Sequence, residues 1–135
     1  MFVTVWLGIL TISTGKIVAA NAGHEYPILK KANGEFELIK DKHGFVIGSM
    51  EGVRYKDYEM TLDKGGTLFV YTDGAPEATN GNMEMFGTDR ILQALNKQPE
   101  ADAEQVIANT KKAVDLFVGE APQFDDLTML AIKLI

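Results

Sequence analysis

Up to Asp73 the chain alternates apolar and polar positions, and beyond it the spacing turns helical. In residues 2–12, FVTVWLGILTI, Val3, Val5, Leu7 and Ile9 make an unbroken apolar face. Phe2, Thr4, Trp6 and Gly8 make a mixed one, and this period of two predicts a strand. Thr14-Gly15 reads as a turn, with KIVAANA as the returning strand of a hairpin. Past Gly23-His24-Glu25, YPILKKA and EFELIK flank Asn33-Gly34. That pair suits a two-residue hairpin turn with both central residues at positive φ. Residues 41–57 are looser, rich in Gly and charge, and YEMTL and TLFVYT then read as another antiparallel pair across Asp63-Lys64-Gly65-Gly66.

Residues 74–87 hold Gly, Pro, Asn and Met in no clear period and read as a loop with one helical turn. Thr88 reads as the N-cap of DRILQALNK, which sets Ile91, Leu92 and Leu95 on one side. In residues 102–118, Ala103, Val106, Ile107, Thr110, Val114 and Phe117 follow a helical spacing that Gly119 and Pro122 terminate. LTMLAIKLI closes the chain as a strand. Strands, then two helices, then one strand predict an α+β layered domain on antiparallel sheet, not an alternating parallel one.

Composition narrows the chemistry. A chain of 135 residues with 46% hydrophobic content is one domain with a core of its own. Without cysteine there are no disulfides, thiolate zinc sites or cysteine nucleophiles, and the absence fits a reducing cytoplasm. The net charge of −6 and scattered lysines argue against a nucleic-acid partner. No apolar stretch has the ~20 residues needed to cross a bilayer. A nucleophile-elbow serine, a phosphate-cradling Gly loop and an EF-hand are all missing. Two histidines, His24 and His43, are too few for an imidazole-dominated zinc site; His24, in its Gly turn, reads as structural.

Carboxylates remain. Asp73 ends the apolar run TLFVYT and Asp125-Asp126 opens LTMLAIKLI, so each stands where a rigid strand meets a loop. Oxygen-only ligands suit Mg²⁺ or Mn²⁺. Neighbouring residues on a strand face opposite ways, so only one of Asp125 and Asp126 would face a shared site. Gly74 reads as permitting a sharp exit from the strand. Glu77 reads as a solvated loop charge, and the competing reading of both acidic turns is as loop-capping aspartates.

Together, MFVTVWLGILTISTGKIVAANAGHEYPILK, YTDGAPEATN with MFGTDRIL, and APQFDDLTMLAIKL resemble, in matching order, the SpoIIE-type branch of the metal-dependent (PPM-class) Ser/Thr protein phosphatases. The resemblance implies an antiparallel β-sandwich flanked by helices in α-β-β-α layers, with a dinuclear Mn²⁺ or Mg²⁺ centre in a cleft at one end. It assigns Asp73 and Asp125 as metal-binding and catalytic residues, gives Asp126 a supporting position, and assigns no ligand role to Glu77 or His24. It further implies hydrolysis of phosphoserine or phosphothreonine by metal-activated water. The expected substrate is a phosphoprotein such as an anti-sigma-factor antagonist, in bacterial partner-switching signal transduction.

Two departures stand out. Ala75 occupies a position where a β-branched residue is more usual, and no G-D-x-x-D-like acidic motif precedes the first strand. Residues 1–135 are therefore expected to be the C-terminal portion of one phosphatase domain, N-terminally incomplete, with weak metal binding. Exposed sheet edges in such a piece favour a homodimer. The alternative function is a catalytically inactive regulatory or interaction module of the same fold.

Overall fold

The computed structural model describes residues 1–123 and 125–135; Phe124 of the closing motif lies outside them. The chain order is β1 (Val5–Thr11), β2 (Lys16–Ala22), β3 (Ile28–Lys30), β4 (Phe36–Leu38), β5 (Tyr58–Thr61), β6 (Thr67–Tyr71), α1 (Gly87–Asn96), α2 (Ala103–Val118) and β7 (Met129–Lys133). The strands form two antiparallel sheets, β1-β2-β5 and β4-β3-β6-β7. The α+β reading and the antiparallel sandwich both hold.

Alternation along β6 explains the layering. Leu68 and Val70 join Ile17, Ala19, Leu29 and Leu62 between the sheets. Phe69 and Tyr71 face the other way, into a core shared with Ile91 and Leu95 of α1 and Val106 and Val114 of α2. Both helices thus cover the four-stranded sheet. Among the described residues no helix covers the outer face of β1-β2-β5. Leu7 and Ile9 are 62% and 65% exposed there, while Trp6 and Leu10 turn inward. The unbroken apolar face of the first strand is therefore the outer one.

Other departures have local causes. The β1–β2 hairpin closes at Thr11↔Lys16 as expected, but β5 and β6 are not a hairpin: β5 pairs with β2, and β6 lies between β3 and β7. Residues 62–66 carry the chain from one sheet to the other. Leu62, fully buried, donates its backbone N–H to Gly15 O at 2.7 Å, and a side chain at Gly66 would collide with the Lys30 carbonyl. The β3–β4 hairpin exists, yet neither Asn33 nor Gly34 has positive φ. Lys30 pairs with Phe36, and Gly34 N–H donates to Lys31 O at 3.0 Å. That leaves a five-residue loop, a length usually built on an ordinary type I turn.

Helix α1 begins at Gly87 behind Phe86, which makes no side-chain cap, so Thr88 lies inside the helix and is not its N-cap. Burial of Phe86, edge-on to Phe117 at 5.4 Å, fixes that start. Helix α2 is capped at its N-terminus by Asp102, whose side chain accepts from Gln105 N–H at 2.8 Å, and at its C-terminus by Gly119 with φ 62°.

Candidate metal centre

The pairing of β6 with β7 builds the site. Tyr71 is opposite Met129, and Thr72 N–H donates to Thr128 O at 3.0 Å. Carried one step further, this register brings the Asp73-Gly74 turn against the Asp125-Asp126 segment. Gly74 makes the approach feasible, because a Cβ there would lie on the Asp126 carbonyl oxygen. Its φ is not positive, so its function is to permit close contact of two backbones and not to turn the chain. Beyond it the backbone makes a single helical turn, with Glu77 N–H donating to Asp73 O at 2.9 Å. Residues four apart on such a turn share a face, so Glu77 comes up beside Asp73.

The result is a convergence of three carboxylates. One oxygen each from Asp73, Glu77 and Asp125 lies within 4.8 Å of the others, and all three residues are exposed. The structure thus brings the two expected aspartates together and adds Glu77, which reading the loop as irregular had set aside. Its spacing of four from Asp73 was the signal. Asp125 Oδ1 also accepts from Asp126 N–H at 2.7 Å, and Gln123 Nε2 donates to Asp125 O at 2.7 Å. No Lys or Arg pairs with the three among the described residues. An all-oxygen, uncompensated donor set fits a hard divalent cation.

A cleft of about 660 Å³ opens beside the triad, between the C-terminal half of α2 and residues 121–123 and 125–128. Glu77, Lys111, Asp115, Asp125 and Asp126 line it. Glu25 precedes β3, whose antiparallel register with β6 (Ile28↔Phe69) carries it toward the Asp73 end of that strand. Burial raises its pKa, and the charges of Asp73 and Glu77 push it further in the same direction; His24 and His43 partly oppose them. Tyr71, buried with its hydroxyl unpartnered, is also shifted upward by desolvation and by Glu25. His24 lies within 3.0 Å of the Thr4 hydroxyl through Nδ1, and its backbone N–H donates to Asn21 Oδ1 at 2.7 Å.

The chain superposes on the manganese-presoaked phosphatase domain of the cell fate determinant SpoIIE from Bacillus subtilis with a TM-score of 0.69 at 12% identity. The match covers 97% of this chain and 56% of that one. The fold is that of PP2C phosphatase domains. The family model described as Stage II sporulation protein E (SpoIIE) matches residues 1–135, and the chain belongs to that family. Protein IcfG of Synechocystis is 30% identical over 132 residues, and phosphoserine phosphatase RsbU of Bacillus subtilis is 23% identical over 135. Each match covers 98% of this chain, but only 20% of IcfG and 39% of RsbU. Among the described residues no helix is long and apolar enough to cross a membrane.

Proposed function

We propose that residues 1–135 form the C-terminal portion of a cytoplasmic, Mn²⁺- or Mg²⁺-dependent protein serine/threonine phosphatase domain. The observation that carries this is the convergence of Asp73, Glu77 and Asp125 at the mouth of a cleft. Membership of the SpoIIE family supports the reaction class, and the phosphoserine phosphatase activity named for RsbU supports the substrate class. Coverage of 56% of the SpoIIE phosphatase domain supports reading the chain as part of such a domain.

In this reading Asp73 and Asp125, with Glu77, are the metal ligands. A divalent cation held there supplies Lewis acidity toward a phosphoryl oxygen and activates water. The turn after β6 and the segment before β7 fix the ligands on rigid strand ends, which keeps the donor geometry in place before substrate arrives. The adjoining cleft gives the phosphoserine-bearing segment of a partner protein room beside the triad. Attack of water breaks the P–O(Ser) bond, and the proton ends on the seryl oxygen. An anti-sigma-factor antagonist in a partner-switching pathway is the substrate this reading favours.

The test is Mn²⁺-dependent release of phosphate from a phosphoserine peptide by the full gene product. Asp73→Asn and Asp125→Asn are each expected to lower kcat/KM at least ~100-fold. Turnover that survives both substitutions would refute the site. Wild-type protein that binds Mn²⁺ but hydrolyses nothing would favour the inactive interaction module.

A further inference from the structure

A deeply buried carboxylate lies outside the triad. Asp41 follows β4, and its side chain is 1% exposed. Asn21 Nδ2 donates to both its oxygens at 3.2 Å. Tyr58 OH donates to it at 2.5 Å, and His43 Nδ1 lies 3.3 Å away. Trp6 Nε1 in turn donates to Tyr58 OH at 2.8 Å. A buried carboxylate is costly unless its oxygens are satisfied, and this set satisfies them.

The network also orients a turn. An asparagine amide can present either its oxygen or its NH₂ in a given direction. With Nδ2 held by Asp41, Asn21 must turn Oδ1 toward the His24 N–H, which donates to it at 2.7 Å. A second tie reinforces the first: Gly44 N–H donates to Asn21 O at 3.0 Å. Val46 packs so closely over Gly23 that a Cβ there would come within 2.6 Å of it. Residues 41–46 therefore clamp the turn that ends in Glu25. That turn leads into β3, whose antiparallel register with β6 (Ile28↔Phe69) carries Glu25 toward the Asp73 end of β6, where it lies in the field of Asp73 and Glu77.

We propose that Asp41 is a positioning residue for the acidic site: by fixing the Asn21 amide it sets the His24–Glu25 turn and places Glu25 as an outer carboxylate on the Asp73–Glu77 side of the triad. The proposal rests on the metal-site reading above. Glu25 is not one of the three converging ligands, but its fixed negative charge strengthens cation binding at the triad. Releasing the turn removes that contribution while leaving the three ligands in place.

The test is a Mn²⁺ titration of the 135-residue chain, followed by electron paramagnetic resonance, for wild type, Asp41→Asn, Glu25→Gln and the double variant. Asp41→Asn and Glu25→Gln are each expected to weaken Mn²⁺ binding on the order of tenfold, and the double variant no more than either alone. Tyr58→Phe, which keeps the Asn21–Asp41 contact, lowers Tm and leaves Mn²⁺ affinity unchanged. Additive losses in the double variant, or a fall in Tm with no change in affinity for Asp41→Asn, overturn the proposal. If Asp41→Asn does not fold, Asn21→Ala carries the same expectations. Wild-type binding that is insensitive to Asp73→Asn overturns the metal-site reading. The clamp is then decided without metal, by amide hydrogen exchange at His24: Asp41→Asn accelerates it on the order of tenfold if the clamp is real, and unchanged exchange refutes it.

Discussion

At Gly74 a side chain is excluded by another part of the backbone, and that exclusion ties the two halves of the acidic site together. Gly74→Ala would force apart the Asp73 turn and the Asp126 carbonyl. It is expected to cost about 1–3 kcal/mol of stability and to weaken Mn²⁺ binding as well; thermal denaturation and a metal titration on one sample check both. Glu25 gives a pH signature. Its folded pKa is raised by burial first and by Asp73 and Glu77 next, so the folded chain holds its proton more tightly than the unfolded chain does. Stability from this group is present in acid and is lost as pH rises through the raised value. In metal-free protein, Glu25→Gln should therefore raise Tm at pH 7, and the gain should vanish below the ordinary value of 4.5. Equal gains at both pH values would refute it. Asp73 and Asp125 were legible as candidates because each borders an apolar run. Glu77 was legible only through its spacing from Asp73, and Glu25 and Asp41 not at all. Their neighbourhoods depend on long-range packing that no local pattern carries.

At the scale of elements, local chemistry fixed α2 more firmly than α1. Asp102 caps α2 through its side chain, and Gly119 stops it as its residue type foretells. Asp102→Ala is expected to lower stability by about 1 kcal/mol, read as a shift in urea midpoint without a change in slope. Helix α1 takes its start from the burial of Phe86, and Arg90 reinforces the contact by lying 4.5 Å from the Phe117 ring centre. Tertiary packing there overrides the cap chemistry of Thr88. The strands divide in the same way. The β1–β2 hairpin is specified within its own residues. Whether β5 joins β6 or crosses to β2 is not, since two consecutive alternating runs look alike whether they share a sheet or face each other across a core.

The whole molecule carries a consequence of its layering. With both helices on the four-stranded sheet, the outer face of β1-β2-β5 presents Leu7 and Ile9 to solvent at 62% and 65% exposure, and β1 and β5 are open edges. Period-two alternation predicted a strand here but not which face is buried: the mixed face is inward because Trp6 reaches the Tyr58 hydroxyl and Leu10 joins the inter-sheet core. An apolar sheet face bordered by open edges favours pairing with a second copy of the chain. Sedimentation velocity on the 135-residue chain should therefore reveal association that rises with concentration over ~10–100 μM, while Leu7→Thr/Ile9→Thr shifts the distribution toward monomer. Threonine keeps the strand preference of these positions while removing most of the apolar surface, so Tm should change little. A wild-type chain that stays monomeric across that range would mean this face does not drive association on its own. Association unchanged in the double variant would instead point to the strand edges, where main-chain pairing is indifferent to the side chains replaced.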